Sequence, residues 1–509
     1  MKMVKSLLLG SAAAFVASAG AQAADLPVKA KPVEYVKVCS VYGAGFYYIP
    51  GTDTCIKVGG FVRAEYNFNG NGSHTPYFNG ASGRETRADT NYYNTRTRGI
   101  MSFDARSQTS YGTLRAYIRA GWELNSNDAS YRGISYYDRA FIQFAGMTVG
   151  KTQSFFDFYA NALNYTTSVV GGSDTGHGIN LLAYTAQFGG GFSGTLSLED
   201  QTHRRSGMWD ASAGGNALVI AAIPGGALGP NAVATGDYAG QRYPDVVGNL
   251  RVDQPWGSAQ IMAALHDASG ACVGATCNPG GISTNAGNAT GWAVGGGLML
   301  NVPWAQGDQF WVQGTWARGA ANYLGFNTYV SNNVFGMYSN GGAGAGAIGS
   351  FGGGWGFDGI FDGTGVVSLT EGFQVNAAFQ HFWTPQLRSS IFGGIASLRF
   401  PGATAAKFCT GLVGAATGAN VVIIPGGTGS GGVGVCNPNF SVIQVGTRTI
   451  WSPVANLDIG VEVLYSRLDQ NMVGNWGLGL NGSRAAGLYT ARDQDTWSGV
   501  LRFQRNFWP

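Results

Sequence analysis

Residues 96–124 read RTRGIMSFDARSQTSYGTLRAYIRAGWEL, and residue type alternates along two runs that flank a turn at Tyr111-Gly112. One face of each run is apolar and the other is charged. The opposed sets are Thr97, Met101, Phe103 and Ala105 against Arg96, Arg98, Ser102, Asp104 and Arg106, then Leu114, Ala116, Ile118, Ala120 and Trp122 against Arg115, Tyr117, Arg119 and Glu123. Because successive side chains of a strand point to opposite faces, this period of two predicts a β-hairpin with one apolar and one charged face.

The same alternation recurs in segments of about ten residues along the rest of the chain, which is typical of a transmembrane barrel. About sixteen strands are predicted, at residues 55–68, 96–109, 112–124, 135–146, 147–156, 179–188, 193–204, 243–254, 258–269, 291–303, 308–322, 371–384, 387–400, 442–452, 457–470 and 495–507. The alternation is poorest in the segment 147–156. An even number of strands allows one bacterial chain to close into an antiparallel barrel.

The connections between the predicted strands alternate between tight and long. Tight turns such as Gly189-Gly190-Gly191 are followed by long connections rich in Gly, Asn and Ser. Three regions, 206–242, 323–370 and 401–441, do not alternate and are predicted to be loops; the middle one contains GGAGAGAIGSFGGGWGFDG, which is not expected to pack as an ordinary core. The sequence therefore predicts an all-β fold, a 16-stranded antiparallel transmembrane β-barrel with short periplasmic turns and long extracellular loops.

The N-terminus has the features of a targeting segment. Lys2 and Lys5 precede an apolar, Ala-rich stretch at residues 7–19, and Ala21-Gln22-Ala23 has the small-residue pattern of a cleavage site. The apolar stretch is too short for an anchor helix, which needs roughly 20 residues. We expect residues 1–23 to be a signal peptide, residues 24–54 a periplasmic-side extension, and residues 55–509 the barrel.

The composition agrees with a barrel wall. Gly accounts for 82 of 509 residues, charged residues make up 12% and aromatic residues 13% of the chain, and the mean hydropathy is +0.00. Ordinary soluble domains contain about 25% charged residues and about 7% Gly, so the polarity of this chain comes from Gly, Asn, Gln, Ser and Thr. The formal net charge of +3 implies no nucleic-acid partner.

The charged face is expected to point to water. Each Arg or Lys that faced lipid near the membrane midplane would cost roughly 2–4 kcal/mol, so several together would exceed a typical folding stability of about 5–15 kcal/mol. A barrel of about 16 strands is wide enough to enclose an aqueous channel. The predicted basic wall of the pore constriction comprises Lys57, Arg63, Arg96, Arg98, Arg106, Arg115, Arg119 and Arg139.

The loop after the fifth predicted strand, residues 157–178, contains Asp157 and Asp174 and no Lys or Arg. We expect this loop to fold into the lumen opposite the basic wall. Opposed charges in a narrow polar pore would then set up a transverse field that orients solutes and selects them by size and charge. An ordinary surface loop with solvated acidic residues is the alternative.

The six cysteines fall into three local pairs, which are Cys39 with Cys55, Cys272 with Cys277, and Cys409 with Cys436. In an exported protein such pairs are expected to form disulfides, and buried free thiols are the alternative. The spacing within each pair differs from the C-x-x-C pattern of a metal or redox site, so no metal or cofactor is expected.

The segment VEYVKVCSVYGAGFYYIPGTDTCIKVGGFVR, residues 33–63, resembles the start of the alphaproteobacterial porin family, which includes the Brucella porins. The segment DTWSGVLRFQRNF resembles that family's last strand, although relatives end in the aromatic residue and this sequence continues to Trp508-Pro509. The resemblance implies a homotrimer in the outer membrane, general diffusion of small hydrophilic solutes, and a constriction loop containing Asp157 and Asp174. The expected partners are membrane lipid, lipopolysaccharide and the barrel-assembly machinery.

Three other functions compete with a general diffusion pore. A barrel hydrolase would need a histidine close to a nucleophile or an acidic residue. An enzyme is not expected, because His74, His177 and His203 lie in or beside predicted loops with no nucleophile motif, His266 is expected to be a wall residue facing the pore, and His381 is expected to lie near a turn. A substrate-selective channel for a sugar, an anion or an amino acid would differ by saturable flux. A surface adhesin would use the long loops for binding and would have a narrow or plugged bore.

Overall fold

The computed structural model describes residues 38–70, 91–126, 134–173, 176, 178–211, 236–272, 284–326, 334–339, 347–361, 365–414, 424–425, 435–478 and 487–507. The predicted signal peptide lies outside these residues. The main feature is a closed barrel of 16 antiparallel strands. They are β1 Cys55–Phe68, β2 Tyr93–Thr109, β3 Gly112–Asn125, β4 Ile134–Phe144, β5 Met147–Thr152, β6 Ile179–Gly189, β7 Phe192–Glu199, β8 Asp245–Gln254, β9 Gly257–Asp267, β10 Thr290–Asn301, β11 Gln309–Arg318, β12 Glu371–Thr384, β13 Leu387–Arg399, β14 Phe440–Val454, β15 Leu457–Gln470 and β16 Gln494–Asn506.

Strands that are consecutive along the chain are neighbours in the barrel. Each strand from β1 to β15 pairs antiparallel with the next one. The barrel closes where β16 pairs with β1, from Phe61↔Asn506 to Phe68↔Gly499. The predicted barrel is therefore confirmed, and every predicted segment overlaps one observed strand. Closure matters because a sheet without edges leaves no row of unpaired backbone groups facing lipid.

Three strands end four or more residues earlier than the alternation predicts. The fifth ends at Thr152 rather than at residue 156, the seventh at Glu199 rather than at residue 204, and the eleventh at Arg318 rather than at residue 322. After β7, the Asp200 carboxylate accepts a hydrogen bond of 2.8 Å from the backbone N–H of Thr202 and begins the 3₁₀ helix Gln201–His203. A capping aspartate competes with strand pairing for the backbone, so it ends the strand that the residue pattern extends.

The connections divide the barrel into two ends. Tight turns at one end, here called the turn end, join β2 to β3, β4 to β5, β6 to β7, β8 to β9, β10 to β11, β12 to β13 and β14 to β15. Long connections lie at the other end, here called the loop end. Asn456, in the turn after β14, has a φ of 65°, a left-handed conformation that Asn adopts more readily than most residues. The alternation of tight and long connections is as the sequence predicts.

The long connections contain regular structure that the sequence pattern does not indicate. One small sheet comprises Met208–Asp210, Gly236–Tyr238, Gly270–Cys272, Thr284–Gly287, Gly359–Phe361 and Ser368–Leu369, and a second comprises Val334–Ser339, Ala347–Trp355, Ile424–Pro425, Asn475–Leu478 and Gly487–Ala491. The helix α1 spans Ala403–Gly414, further 3₁₀ helices span Ser40–Tyr42, Val169–Gly171 and Ala321–Leu324, and Tyr47–Tyr48 pairs with β1. Among the described residues, no helix has the length and apolar character needed to cross a membrane.

The glycine-rich segment packs into a core, contrary to the expectation from its composition. Trp355 and Phe357 are buried in an apolar cluster with Phe408 of α1. Glycine permits this packing because it lets an aromatic ring lie flat against the backbone. A Cβ added to Gly354 would lie 2.4 Å from the ring of Phe440, which is too close for any other residue type.

Burial alternates along the barrel strands. In β14 Gln444 is 0% exposed and Val445 is 50% exposed, and in β15 Glu462 is 1% exposed and Val461 is 49% exposed. The outer face is therefore apolar and the inner face polar. Large aromatic side chains are exposed at both ends of the outer face, with Trp256, Trp304, Trp383 and Trp451 at the turn end and Trp122, Trp316 and Trp497 at the loop end. Such belts are typical of the two interfaces of a membrane.

Two of the three predicted disulfides are confirmed. Cys39 bonds to Cys55 with a Cα–Cα distance of 6.0 Å, and Cys409 of α1 bonds to Cys436 at 5.9 Å. The first bond ties the segment before β1 to the first residue of that strand, and the second ties α1 to the segment before β14. The side chains of the third predicted pair, Cys272 and Cys277, lie outside what the structure describes.

Val445→Arg should destabilise the barrel, because the side chain of residue 445 points outward from the body of β14. A lipid-facing Arg near the membrane midplane costs about 2–4 kcal/mol. The measurement is the free energy of unfolding by denaturant in the presence of phospholipid vesicles. Val445→Ala is the matched control, since it removes apolar area without adding charge. Equal losses in the two variants would contradict the assignment of this face to lipid.

Candidate functional site

The basic residues of β1–β4 form groups on the inner face of the barrel, and the group nearest the turn end surrounds Asp104. Arg106 donates to the Asp104 carboxylate from Nε at 3.0 Å and from Nη2 at 2.7 Å, and Arg115 donates from Nε and Nη2 at 2.9 Å each. Lys57 donates from Nζ to the carbonyl oxygen of Ala44 at 3.1 Å. Two bidentate guanidinium contacts therefore fix the Asp104 carboxylate in the wall.

A second group surrounds Glu65, towards the loop end. Arg96 donates from Nε to Glu65 at 2.6 Å, and Arg502 of β16 donates from Nε at 2.5 Å. Arg63 Nη1 lies 3.8 Å from Glu65 Oε1. The Glu65 side chain is 0% exposed, so this buried carboxylate depends on the guanidinium groups around it. Three arginines against one carboxylate leave the group positively charged.

Two further ion pairs continue the same sector. Arg98 donates from Nε to Glu123 at 2.9 Å, and Arg119 Nε lies 3.5 Å from Asp138 Oδ2. Arg119 is among the more accessible of these arginines, with a side chain that is 34% exposed. The pairs keep the guanidinium groups extended along the wall rather than collapsed against it.

All eight basic residues predicted for the pore wall lie in one sector of the inner face, on β1 to β4. They are Lys57, Arg63, Arg96, Arg98, Arg106, Arg115, Arg119 and Arg139, and the carboxylates among them belong to Glu65, Asp104, Glu123 and Asp138. Eight cationic groups against four carboxylates give this sector, here called the basic sector, a net positive charge.

The loop after β5 lies inside the barrel against a different part of the wall. Inward-pointing polar side chains bind its backbone. Asn249 donates to Phe155 O at 2.7 Å, Gln313 accepts from Tyr159 N at 2.9 Å, Ser390 donates to Leu163 O at 2.7 Å, Gln374 donates to Val169 O at 3.2 Å, and Gln444 accepts from Val170 N at 3.1 Å. These side chains come from β8 and from β11 to β14. The described part of the connection from β5 to β6, here called the inward loop, therefore has its backbone hydrogen-bonded within the lumen.

A single carboxylate fixes the tip of the inward loop. Glu462 of β15 accepts hydrogen bonds from the backbone N–H of Tyr165 at 2.5 Å, from that of Thr166 at 2.9 Å and from the Thr166 hydroxyl at 2.6 Å. On the same strand, Gly460 leaves room for the phenol ring. A Cβ there would lie 2.2 Å from Tyr165 Oη, so a larger residue would push the ring off the wall.

Two guanidinium groups of the wall lie close to the ring of Tyr165. Arg502 Cζ is 3.6 Å and Arg448 Cζ is 4.9 Å from the ring centroid. Cations over an aromatic face are attracted by its quadrupole, more strongly where water is excluded. Because Arg502 also binds Glu65, it connects the tip of the inward loop to the basic sector.

The base of the inward loop contains a buried ion pair that the sequence does not reveal. Asp157 accepts hydrogen bonds from Arg204 Nη2 at 2.7 Å and from the Ser173 hydroxyl at 2.9 Å. Both charged side chains are 0% exposed. Burial by itself lowers the pKa of Arg204, but Asp157 and Tyr323 reverse this and raise it. Arg204 therefore neutralises the charge of Asp157, because a buried carboxylate needs a partner. The sequence instead predicts that the Asp157 charge faces the basic sector.

The second acidic residue predicted for this loop, Asp174, lies outside the described residues. Near it, Gly176 is described, and its carbonyl accepts a hydrogen bond of 3.1 Å from Arg139 Nη1. The end of the inward loop therefore touches the basic sector through a backbone carbonyl.

Arg502 alternates with apolar neighbours, and this signal predicts that its side chain points inward. Two other arginines that build the site are not singled out by the sequence. Arg448 lies between threonines and gives little contrast, and Arg204 falls in a segment predicted as strand. The link between Thr166 and Glu462 joins residues separated by 296 positions, and no local pattern indicates such a contact.

The chemistry of the lumen is that of a polar, mainly cationic surface. Guanidinium groups bind carboxylate, phosphate and other oxyanions through charge-assisted hydrogen bonds. Among the residues that the structure describes, no group of His, Cys, Asp and Glu is arranged to hold a metal ion. The site is thus equipped to interact with hydrated anions.

Comparison with known proteins agrees with this geometry. Residues 25–500 match the family described as the porin subfamily. Porin Omp2b of Brucella suis biovar 1 (strain 1330) and that of Brucella abortus (strain 2308) are each 33% identical over 270 residues, which is 50% of this chain and 64% of theirs. The match therefore spans less than two thirds of the length of these relatives.

A solved structure shares the fold. The outer membrane channel DcaP of Acinetobacter baumannii superposes with a TM-score of 0.55 at 14% sequence identity, covering 90% of this chain and 99% of that one. At this level of identity the likeness concerns the fold. Together with the closed barrel, its apolar outer face and its aromatic belts, the match over residues 25–500 shows that the chain belongs to the porin subfamily and is an outer-membrane β-barrel.

Proposed function

We propose that the protein is a passive, water-filled diffusion channel for small hydrophilic solutes and ions. The observation that supports this function is the charged inner face of a closed barrel of 16 strands. Barrels of about 8 strands are filled by their own side chains, whereas those with about 16 enclose an aqueous channel. Arginines paired with carboxylates on that inner face need water or ionic solutes beside them, because charged groups are costly in an apolar medium.

The constriction of this channel lies, in our proposal, between the basic sector and the inward loop. The inward loop covers part of the wall from β8 to β15. In the basic sector, Arg106, Arg115 and Arg119 keep 26%, 25% and 34% of their side chains exposed and are the groups most accessible to solute. With Asp157 neutralised by Arg204, the field across the pore has a positive pole on one side and a mainly neutral polar surface on the other. Asp174 stays a prediction for the acidic side of the constriction.

This charge distribution favours anions. A wall with an excess of guanidinium groups raises the local concentration of anions and lowers that of cations. We therefore propose a pore with a preference for small anions. The described arginines are largely paired with carboxylates, so we expect them to attract anions without binding any one of them tightly, as a diffusion pore requires. A channel selective for one substrate would instead show flux that saturates.

We propose the membrane partners from the chemistry of the outer face. Its apolar surface and aromatic belts fit outer-membrane lipid and lipopolysaccharide, and insertion would need the barrel-assembly machinery. We propose a homotrimer, as the family resemblance implies.

A barrel hydrolase would require an accessible histidine beside a nucleophile. His266 is hydrogen-bonded to Asp245 at 2.8 Å, as the histidine of a catalytic triad is to its aspartate, but it is 0% exposed, so a substrate cannot reach its ring. The side chain of His381 is 29% exposed and lies 2.7 Å from Asp308, and its described hydrogen bond is to that carboxylate rather than to a nucleophile. We therefore propose a channel and not an enzyme.

Reconstitution into a planar bilayer tests both the pore and the trimer. Each insertion should give a stable conductance that closes in three equal steps under high voltage, because each barrel of a trimer holds its own pore. Folded protein that inserts into the bilayer but gives no conductance at any voltage would contradict the diffusion channel. A single closing step would contradict the trimer and leave the channel itself standing.

Arg115→Ser and Arg119→Ser should each reduce the preference for anions. A unit charge about 7 Å from a passing ion in water contributes about 0.6 kcal/mol, so its loss changes the local anion concentration about two- to threefold. The measurement is the reversal potential in a salt gradient. Arg467→Ser is the matched control, because Arg467 is paired with Asp469 and its side chain is 45% exposed. Equal reversal potentials in all three variants and the parent would remove these two arginines from the constriction.

A further inference from the structure

A buried cluster of ionisable groups lies at the loop end, apart from the basic sector. His266, at the end of β9, is 0% exposed. Its Nδ1 lies 2.8 Å and 3.0 Å from the two carboxylate oxygens of Asp245, and its Nε2 lies 3.2 Å from Tyr238 Oη and 3.8 Å from Asp358 Oδ2. Tyr323 donates from Oη to Asp245 at 2.6 Å. These five residues are here called the histidine clasp.

The histidine clasp joins several segments at the mouth of the barrel. Tyr238 belongs to the connection after β7, whereas Tyr323 and Asp358 belong to the connection after β11. Asp358 accepts hydrogen bonds from the backbone N–H of Ser206 at 2.8 Å and from that of Ala321 at 2.5 Å. One carboxylate therefore ties two long connections to each other, and His266 ties that carboxylate to the barrel.

The histidine clasp also supports the base of the inward loop. The ring of Tyr323 lies 4.7 Å from the ring of Phe156, which is in the inward loop. Arg204 Cζ lies 4.3 Å from the Tyr323 ring centroid, and Arg204 forms the buried ion pair with Asp157. Displacement of Tyr323 would therefore disturb two of the contacts at the base of the inward loop.

The hydrogen bonds of this cluster are all satisfied when both ring nitrogens carry a proton and Asp358 is ionised. Nδ1 faces a carboxylate and so must donate. Tyr238 gives its own hydrogen to Asp358, so its oxygen can serve Nε2 only as an acceptor. In a ring protonated only at Nδ1, the lone pair of Nε2 would face a lone pair of Tyr238 Oη. With Asp358 ionised, the protonated imidazolium is thus the form that satisfies every partner.

The charges around His266 favour the same form. Two carboxylates, Asp245 and Asp358, face the ring, and Arg205, over the Tyr238 ring at 4.4 Å, is the opposing cation in the described surroundings. Burial raises the pKa of Asp358, against the effect of the His266 ring and the Tyr238 hydroxyl. The two carboxylates therefore favour the charged ring, and loss of its proton removes the positive charge that lies between Asp245 and Asp358.

We propose that the histidine clasp is a proton-dependent latch, with His266 as the residue that positions the base of the inward loop in the proposed channel. With the proton bound, the latch holds Tyr323 against Phe156 and Arg204. When the proton leaves at alkaline pH, the two carboxylates repel each other, the contacts of Tyr323 loosen, and the inward loop leaves its seat and interrupts the current.

Single-channel recording across a pH range tests this latch. A group whose pKa differs by one unit between two states changes their ratio about tenfold, so the closed fraction of the wild-type protein should rise by roughly that factor between about pH 6 and about pH 9. His266→Gln should show frequent closures that do not depend on pH. His381→Gln is the matched control, because His381 forms a 2.7 Å pair with Asp308 at the turn end and should keep the wild-type profile. A wild-type profile in His266→Gln, or its loss in His381→Gln, would overturn the proposal.

Tyr238→Phe tests the latch if His266→Gln does not assemble. It keeps the ring over Arg205 and removes the oxygen that accepts the hydrogen bond from His266 Nε2. The imidazolium should then lose its proton more easily, so the rise in closures should move to lower pH. An unchanged profile would refute the latch.

A second readout separates this proposal from the proposed channel. Trypsin should cut after the buried Arg204 faster at pH 9 than at pH 7 in the wild-type protein, after correction with a free peptide of the same sequence. Equal corrected rates refute the latch even if the channel conducts. Proton-dependent cleavage without conductance would keep the latch and refute the channel.

Discussion

The whole structure depends on the high cost of placing a charge against lipid. A closed barrel satisfies the hydrogen bonds of the backbone N–H and C=O groups, because every strand pairs with two neighbours. The alternation of side chains then assigns each of them either to lipid or to the interior. Val445 and Val461 are half exposed on the outside, whereas Gln444 and Glu462, one residue away, are almost completely buried inside. The same constraint gathers the arginines of β1 to β4 into one inner sector, which is the feature on which the proposed function rests.

The interior is organised by polar side chains that act as partners for backbone groups. Gln313, Gln444 and Glu462 accept hydrogen bonds from backbone N–H groups of the inward loop, so this loop can lie in the lumen without unpaired amides. Its tip and base are held differently. The tip is fixed by a carboxylate and two guanidinium groups of the wall, whereas the base depends on Arg204 and on contacts with loop-end segments.

The strands and the basic sector could be predicted from the sequence because both follow from a period of two within single segments. Arg115 and Arg119 are recognisable as inward from their immediate neighbours. The partner of Asp157 could not be predicted in this way, because Arg204 is 47 residues further along the chain and lies beyond a strand that ends earlier than its pattern suggests. The packing of Trp355 was also hidden, since a glycine-rich composition indicates low core content although it permits close ring packing.

Thiol accessibility at neighbouring positions of β3 tests the central claim most directly. Ile118 is 43% exposed on the outer face, and Arg119 points inward. Ile118→Cys and Arg119→Cys should be exposed in turn to a charged, membrane-impermeant thiol reagent during bilayer recording. The account predicts a stepwise fall in current for Arg119→Cys and no change for Ile118→Cys or for the parent protein. A block at Ile118→Cys, with none at Arg119→Cys, would mean that the charged face does not enclose the pore.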